Sequence, residues 1–313
     1  MMRSLETNLA GITLKNPVMT ASGTFNSGKE YAQFYDLNTL GAIVCKGVSV
    51  DPWTGNEPHR IAETHGGMLN AIGLQNPGAK AFIEDDLQFM KQYQKSGTKI
   101  IINLCGKTIE EYIAVTKAFF GQGVDAYELN ISCPNIKEGG MAFGTDPKAA
   151  ASVVEAVKPH ADAPIIAKLS PNVTDISEIA KAVEAAGADA VSCINTLTGM
   201  RIDVNKKKPV ISIGSGGLSG PAVKPIAIHM VQRVSKAIKI PVIGMGGIMT
   251  GEDAIEFIMA GATAIAVGTA NFVNPYATQD ILTGIEEYMD MYGLRSLSEI
   301  RGCIGNVVKP HEV

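Results

Sequence analysis

The sequence predicts an α/β fold, a (β/α)8 TIM barrel with long insertions at the C-terminal face and an N-terminal β-hairpin. Three observations predict it: eight short segments rich in Val, Ile and Ala, stretches between them with apolar residues three and four apart, and long connections after three of the eight. Strand alternating with helix is the order of βα units on a parallel sheet, and eight units are the number that closes a barrel. Such barrels run to about 250 residues and grow by loop insertion, so residues 1–313 are read as one domain.

Residues 5–15 come first, a hairpin about Ala10-Gly11 placed to close the barrel floor. Strands are read at 17–21, 42–48, 99–104, 126–131, 164–169, 190–195, 241–245 and 264–268, and amphipathic helices at 109–120, 147–157, 176–186, 222–237 and 254–260 among others. Thr174-Asp175 and Thr250 precede two of these helices, where side-chain oxygens cap exposed N–H groups, and Gly187 and Gly261 end the same two. The long connections span 49–78, 132–146 and 196–220. Each follows the C-terminal end of a strand, the face on which barrel enzymes carry their chemistry, so they are read as site walls or lids rather than plain insertions.

Composition narrows the class. Hydrophobic residues are 46% and charged ones 19% of the chain, enough apolar material for a closed core. A formal net charge of -4 gives no footprint for nucleic acid, and the basic run Lys206-Lys207-Lys208 is short enough to be a solvated loop. The five cysteines stand singly, with neither a disulfide framework nor metal-ligand spacing. No apolar run approaches the ~18 residues of a membrane span, and the first residues do not read as a signal peptide. A reduced, cytoplasmic setting is expected.

Polar residues at strand ends carry the candidate chemistry. Lys46 ends the apolar run Ala42-Ile43-Val44-Cys45, and Lys168 ends Ile165-Ile166-Ala167. A desolvated cation costs several kcal/mol unless an anion pairs with it, so two of them call for an anionic ligand. Asn103, Asn130 and Asn195 end strands too, where amides can donate to and accept from a planar heterocycle. Any one of the five taken alone reads equally as a cap or a snorkelling side chain; five on one face point to a site. Gly244-Met245-Gly246-Gly247 and Gly268-Thr269-Ala270 put small residues after the seventh and eighth strands, where backbone N–H groups can cradle a phosphate. The stretch Gly214-Ser215-Gly216-Gly217-Leu218-Ser219-Gly220 lacks the dinucleotide spacing and reads as a phosphate-approach loop before a helix. Cys133, just past the fourth strand, reads from residues alone either as a reactive thiol or as a buried structural one. Cys45, Cys105 and Cys193 lie within or at the ends of strand runs and read as small core residues.

Taken together, Ala21-Ser22-Gly23, the run from Asn70 through Ala71, Ile72, Gly73, Leu74 and Gln75 to Asn76, Asn130-Ile131-Ser132-Cys133-Pro134-Asn135, Lys168-Leu169-Ser170-Pro171-Asn172, Ile194-Asn195-Thr196 and Gly244-Met245-Gly246-Gly247 resemble the dihydroorotate dehydrogenases. The resemblance spans the barrel. Cys133 matches the soluble class, which uses cysteine where the membrane-associated class uses serine. The runs Asn135-Ile136-Lys137-Glu138-Gly139-Gly140 and Phe143-Gly144-Thr145-Asp146-Pro147 are closer to the NAD-linked B type than to the fumarate-reducing A type.

The resemblance implies FMN held by Ser22, Lys46, Gly47, Asn103, Asn130, Lys168, Ile194, Gly220, Gly246, Gly247, Gly268 and Thr269, with substrate met by Lys46, Asn70, Ala71, Ile72, Gly73, Leu74, Asn130, Asn195 and Thr196. It implies Cys133 as the base that takes a proton from C5 of dihydroorotate while hydride leaves C6 for the flavin, in pyrimidine (UMP) biosynthesis. It further implies a separate electron-transfer subunit carrying FAD and a [2Fe-2S] cluster, two of each chain in a heterotetramer, because this chain has no cysteine array for a cluster. The segment Thr198-Gly199-Met200-Arg201 departs from the family pattern. Other readings stay open on the residues: a flavin barrel for dihydrouracil, which lacks the substrate carboxylate, a colourless phosphosugar barrel, or a scaffold barrel without catalysis.

Overall fold

The computed structural model describes residues 4–131 and 143–304. β1 (Thr7–Leu9) and β2 (Ile12–Leu14) form the expected hairpin. Ala10 and Gly11 make its two-residue turn, both at positive φ, the backbone hand that matches strand twist. Leu9 and Leu14 are fully buried and pack with Met19, Ala42, Ile101, Ala126 and Ile243 from the barrel interior, so the hairpin plugs the floor.

The chain then enters β3 (Val18–Thr20) and β4 (Ala42–Val44), leaves through β5 (Ile61–Thr64) and β6 (Gly67–Asn70), and returns by α1 (Ala79–Glu84) and α2 (Asp86–Gln94). Next come β7 (Lys99–Leu104), α3 (Ile109–Phe119), β8 (Ala126–Leu129), α4 (Pro147–Val157), β9 (Ile165–Lys168), α5 (Ile176–Ala185) and β10 (Ala190–Cys193). A second excursion holds β11 (Leu197–Gly199), β12 (Ile202–Asp203), β13 (Lys208–Pro209) and β14 (Gly216–Ser219). The chain finishes with α6 (Lys224–Ala237), β15 (Val242–Met245), α7 (Gly251–Met259), β16 (Ala264–Val267), α8 (Ala270–Val273) and α9 (Ala277–Met291). Eight strands close the barrel in the order β10-β15-β16-β3-β4-β7-β8-β9, every neighbouring pair parallel.

Alternation along these strands builds the site. Side chains of period two point by turns into the barrel and out to the helices. In β7, Ile101 faces inward while Ile100, Ile102 and Leu104 pack outward; in β8, Ala126 faces inward and Tyr127 and Leu129 outward. Continuing the inward period one step brings Asn103, Glu128, Lys168 and Ser192 into one polar layer above the apolar ones, all buried.

Two of the three long connections are not loops. β14 pairs antiparallel with β6, Gly217 opposite Asn70 and Ser219 opposite Met68, and with β5 and β11 they form one four-stranded sheet beside the barrel mouth. The stretch from Gly216 to Ser219, expected as loop, is strand because β6 supplies its partner from across the sequence. Gly67 and Gly220 make the join close: a Cβ on Gly67 would sit 1.9 Å from the Ser219 carbonyl oxygen, and one on Gly220 2.6 Å from Gly67 Cα. Of the third connection, 132–142 lie outside the described residues; beyond them Phe143 is buried edge-on to Tyr112, ring centroids 6.1 Å apart.

Helix ends follow the sequence cues. Asp175 caps α5 by accepting from the Ser177 amide, and Gly187 takes φ +97° just past its end. Thr250 caps α7 by accepting from the Asp253 amide, while Asp253 Oδ2 accepts from the Met249 and Thr250 amides at 2.8 and 3.0 Å. Lys224 Nζ donates to Asp253 Oδ1 at 2.6 Å and to Glu256 Oε1 at 2.7 Å, tying the start of α6 to α7. Partial burial opposes ionisation of Asp253, but Lys224 and the two amides outweigh it and hold the carboxyl below its ordinary value. Asp253→Asn is therefore expected to cost about 1–2 kcal/mol at neutral pH. A depressed folded-state pKa gives stability that is full above the unfolded value near ~4 and lost as pH falls through the lower folded one. The gap between wild type and variant in thermal unfolding should narrow below pH ~4; a gap constant with pH contradicts this.

Candidate active site

The C-terminal ends of the barrel strands and the four-stranded sheet enclose a cavity of about 1250 Å³. From β3 it receives Ser22, from β4 Lys46 and Gly47, from β8 Asn130, from β9 Lys168, and from β10 Ile194, Asn195 and Thr196. From β15 come Gly246 and Gly247, and from β16 Gly268 and Thr269. The sheet side adds Asn70, Ala71, Ile72, Gly73 and Leu74 from β6 onward, and Gly216, Gly217, Ser219 and Gly220 around β14. Among the described residues, every position that the resemblance assigns to FMN or substrate lines this one space except Asn103, which is fully buried beneath it; a Cβ on Gly47 would meet its Oδ1 at 2.8 Å. Cys133 lies outside the described residues.

Lys168 rises into the cavity floor almost wholly buried. Its Nζ donates to Ser22 Oγ at 3.0 Å and stands 3.8 Å from Glu128 Oε2. Glu128 in turn accepts from Asn103 Nδ2 at 2.6 Å on Oε2 and from Ser192 Oγ at 2.7 Å on Oε1. Cys105 Sγ joins the amides of Asn103 and Asn130 at 3.7 and 3.8 Å, and Tyr112 Oη donates to the Asn130 carbonyl at 2.7 Å. The ends of five strands, β3, β7, β8, β9 and β10, thus hold the floor side chains through one hydrogen-bonded network. Glu128 and Ser192 were not singled out from sequence. Counting back by two from Asn130 and forward by two from Ala190 puts both on the inward face, and that was the available signal.

The same cavity is lined by glycines. Gly220, Gly246 and Gly247 take φ of +99°, +126° and +80°, conformations that L side chains avoid. A Cβ on Gly247 would come within 2.8 Å of the Gly220 carbonyl oxygen and 2.9 Å of the Lys224 amide nitrogen. Thr269 Oγ1 donates to Ser219 Oγ at 2.8 Å, fastening the β16 end to β14. Asn172 bridges the β9 and β10 ends, donating to the Thr196 carbonyl at 3.0 Å and accepting from the Thr198 amide at 2.9 Å. Backbone N–H groups held bare by such glycines, in one cavity with a buried cation, suit a phosphate-bearing planar ligand. Burial pushes the Cys45 thiol up and the Cys193 thiol up to about 12, as befits core residues that take no part in proton transfer at neutral pH.

The family model for dihydroorotate dehydrogenase matches residues 4–289. The chain belongs to the dihydroorotate dehydrogenase family. A relative from Lachnoclostridium phytofermentans, named dihydroorotate dehydrogenase B (NAD(+)), catalytic subunit, is 60% identical over 296 residues, covering 95% of this chain and 98% of its own. A relative of the same name from Alkaliphilus metalliredigens is 58% identical over 301 residues, covering 96% and 99%. One from Geobacillus kaustophilus is 53% identical over 305 residues. For a dihydroorotate dehydrogenase family member, the strand-end lysines, amides and glycine turns are the parts that the barrel brings to one cavity. Among the described residues, no helix is long and apolar enough to cross a membrane.

Proposed function

We propose that the chain is the FMN-bearing catalytic subunit of an NAD-linked dihydroorotate dehydrogenase, oxidising (S)-dihydroorotate to orotate in pyrimidine biosynthesis. The observation that carries the reading is one cavity lined together by buried Lys168, by Lys46 and by the glycine turns after β15 and β16. At about 1250 Å³ it exceeds the ~300–1,000 Å³ of ordinary single-ligand sites, which suits a cofactor and a small substrate together.

The residues present fit FMN. Gly220 and Gly247, where a Cβ would strike backbone, line the cavity with Gly246, Gly268 and Thr269, and the N–H groups of this stretch would meet a phosphate. Ser22, Gly47, Asn130, Lys168 and Ile194 would hold the ring system, with Asn103 supporting from beneath. When bound, FMN accepts the two electrons and one hydrogen that leave the substrate. Lys168 places positive charge where electron density grows. Lys46, Asn70 to Leu74, Asn130, Asn195 and Thr196 would receive the substrate, the lysine answering its carboxylate and the amides its ring edges. Cys133 would take the C5 proton as general base. Electrons would pass to NAD through a second subunit with FAD and a [2Fe-2S] cluster, in a heterotetramer of two chains of each kind. The relatives' printed name, catalytic subunit, supports that division.

The purified chain is expected to be yellow, and dihydroorotate should bleach it without air. Alone it should reduce NAD poorly. Colourless protein, or a flavin bleached equally by dihydrouracil, overturns the reading.

A further inference from the structure

Buried beneath the cavity, Glu128 is a carboxylate with no part in binding or proton transfer as read above. It is 2% exposed, on the inward face of β8, and sends Oε2 toward both Asn103 Nδ2 and Lys168 Nζ and Oε1 toward Ser192 Oγ. Among the described residues it is the one acidic partner of Lys168, whose other contact, Ser22, is neutral. A buried carboxylate is costly unless it is paired and hydrogen-bonded, and these three neighbours engage both of its oxygens.

We propose that Glu128 is a positioning residue that sets how much of the Lys168 charge reaches the bound flavin, and so sets the flavin's affinity for electrons. The inference rests on the FMN reading above. Lys168 without a counter-charge would favour the electron-rich form strongly; Glu128, which does not itself line the cavity, tempers that field while fixing the ammonium against Ser22. A neutral Asn103 or Ser192 could orient the lysine but could not offset its charge.

Glu128→Gln separates charge from shape. The glutamine oxygen can accept from Asn103 and Lys168, and its NH2 can donate to Ser192 Oγ, a hydroxyl able to accept. The hydrogen bonds survive and the negative charge does not. The measurements are sulfite titration of the oxidised flavin, followed by its absorbance, and the midpoint potential against a reference dye. Wild type and the Glu128→Gln and Glu128→Asp variants are compared as flavin-loaded protein. Sulfite should bind at least about tenfold tighter to Glu128→Gln, with an upward shift of about 30 mV, the tenfold equivalent for a two-electron couple. Glu128→Asp, whose shorter carboxylate stands off from Lys168, should fall between the two.

Sulfite affinity and potential within twofold of wild type in Glu128→Gln overturn the inference. Should that variant not fold, an unchanged Glu128→Asp overturns it instead. A wild-type chain that holds no flavin overturns the FMN reading itself, which keeps the two failures distinct.

Discussion

Cys133→Ser is expected to purify with its flavin and to oxidise dihydroorotate about 10²–10⁴-fold more slowly than wild type at neutral pH, the usual size of a lost general base. A cysteine with an ordinary pKa near ~8.5 is a few per cent thiolate at pH 7, and cationic surroundings raise that share. A serine hydroxyl is a far weaker base at any pH the protein tolerates, so the variant should recover partly in alkali. In the sequence Cys133 stands three positions beyond Asn130, a residue that lines the cavity. Flavin absorbance separates loss of the base from loss of the fold. Unchanged turnover at pH 7 in a yellow Cys133→Ser protein would remove Cys133 from the reaction.

All eight expected strands form the barrel, because each strand's apolar run is local and a parallel strand buried on both faces needs little else to be recognised. Strand ends are shorter than expected. The second strand, expected over 42–48, is β4 at Ala42–Val44, since Lys46 and Gly47 turn into the cavity instead of continuing the ladder. The four-stranded sheet was illegible for the opposite reason. Asn70 and Gly217 are direct partners 147 residues apart, and Gly216-Gly217 has no apolar alternation of its own. Pairing that depends on a partner so distant in sequence leaves no local period to read. At the site, lysines and asparagines at the ends of apolar runs were visible because polarity interrupts hydrophobicity there. Glu128 was hidden because a single acid inside Ala126-Tyr127-Glu128-Leu129 looks like a solvent-facing alternate until the barrel closes around it.

Gly247→Ala should give folded protein that has lost its flavin, with FMN affinity down at least about 100-fold. Two costs coincide at this residue. At φ +80° an L side chain is strained by about 1–2 kcal/mol. Its Cβ would also stand 2.8 Å from both the Gly220 carbonyl oxygen and Lys224 Cβ, and 2.9 Å from the Lys224 nitrogen. Neither neighbour can retreat cheaply. Gly220 is packed against Gly67, and Lys224 is pinned by Asp253 and Glu256. The 246–247 turn itself must then move away from Gly220, which opens the proposed cradle where backbone N–H groups have to converge on one phosphate. Loss of two hydrogen bonds to the charged phosphate, at about 1.5–3 kcal/mol each, accounts for a drop of this order. Gly97→Ala is the control: its φ is +87°, yet nothing lies within 4 Å of the added Cβ, and it is remote from the cavity. It should lose a little stability and keep its flavin. If Gly247→Ala binds FMN as wild type does in a fluorescence titration of the stripped protein, the phosphate is held elsewhere.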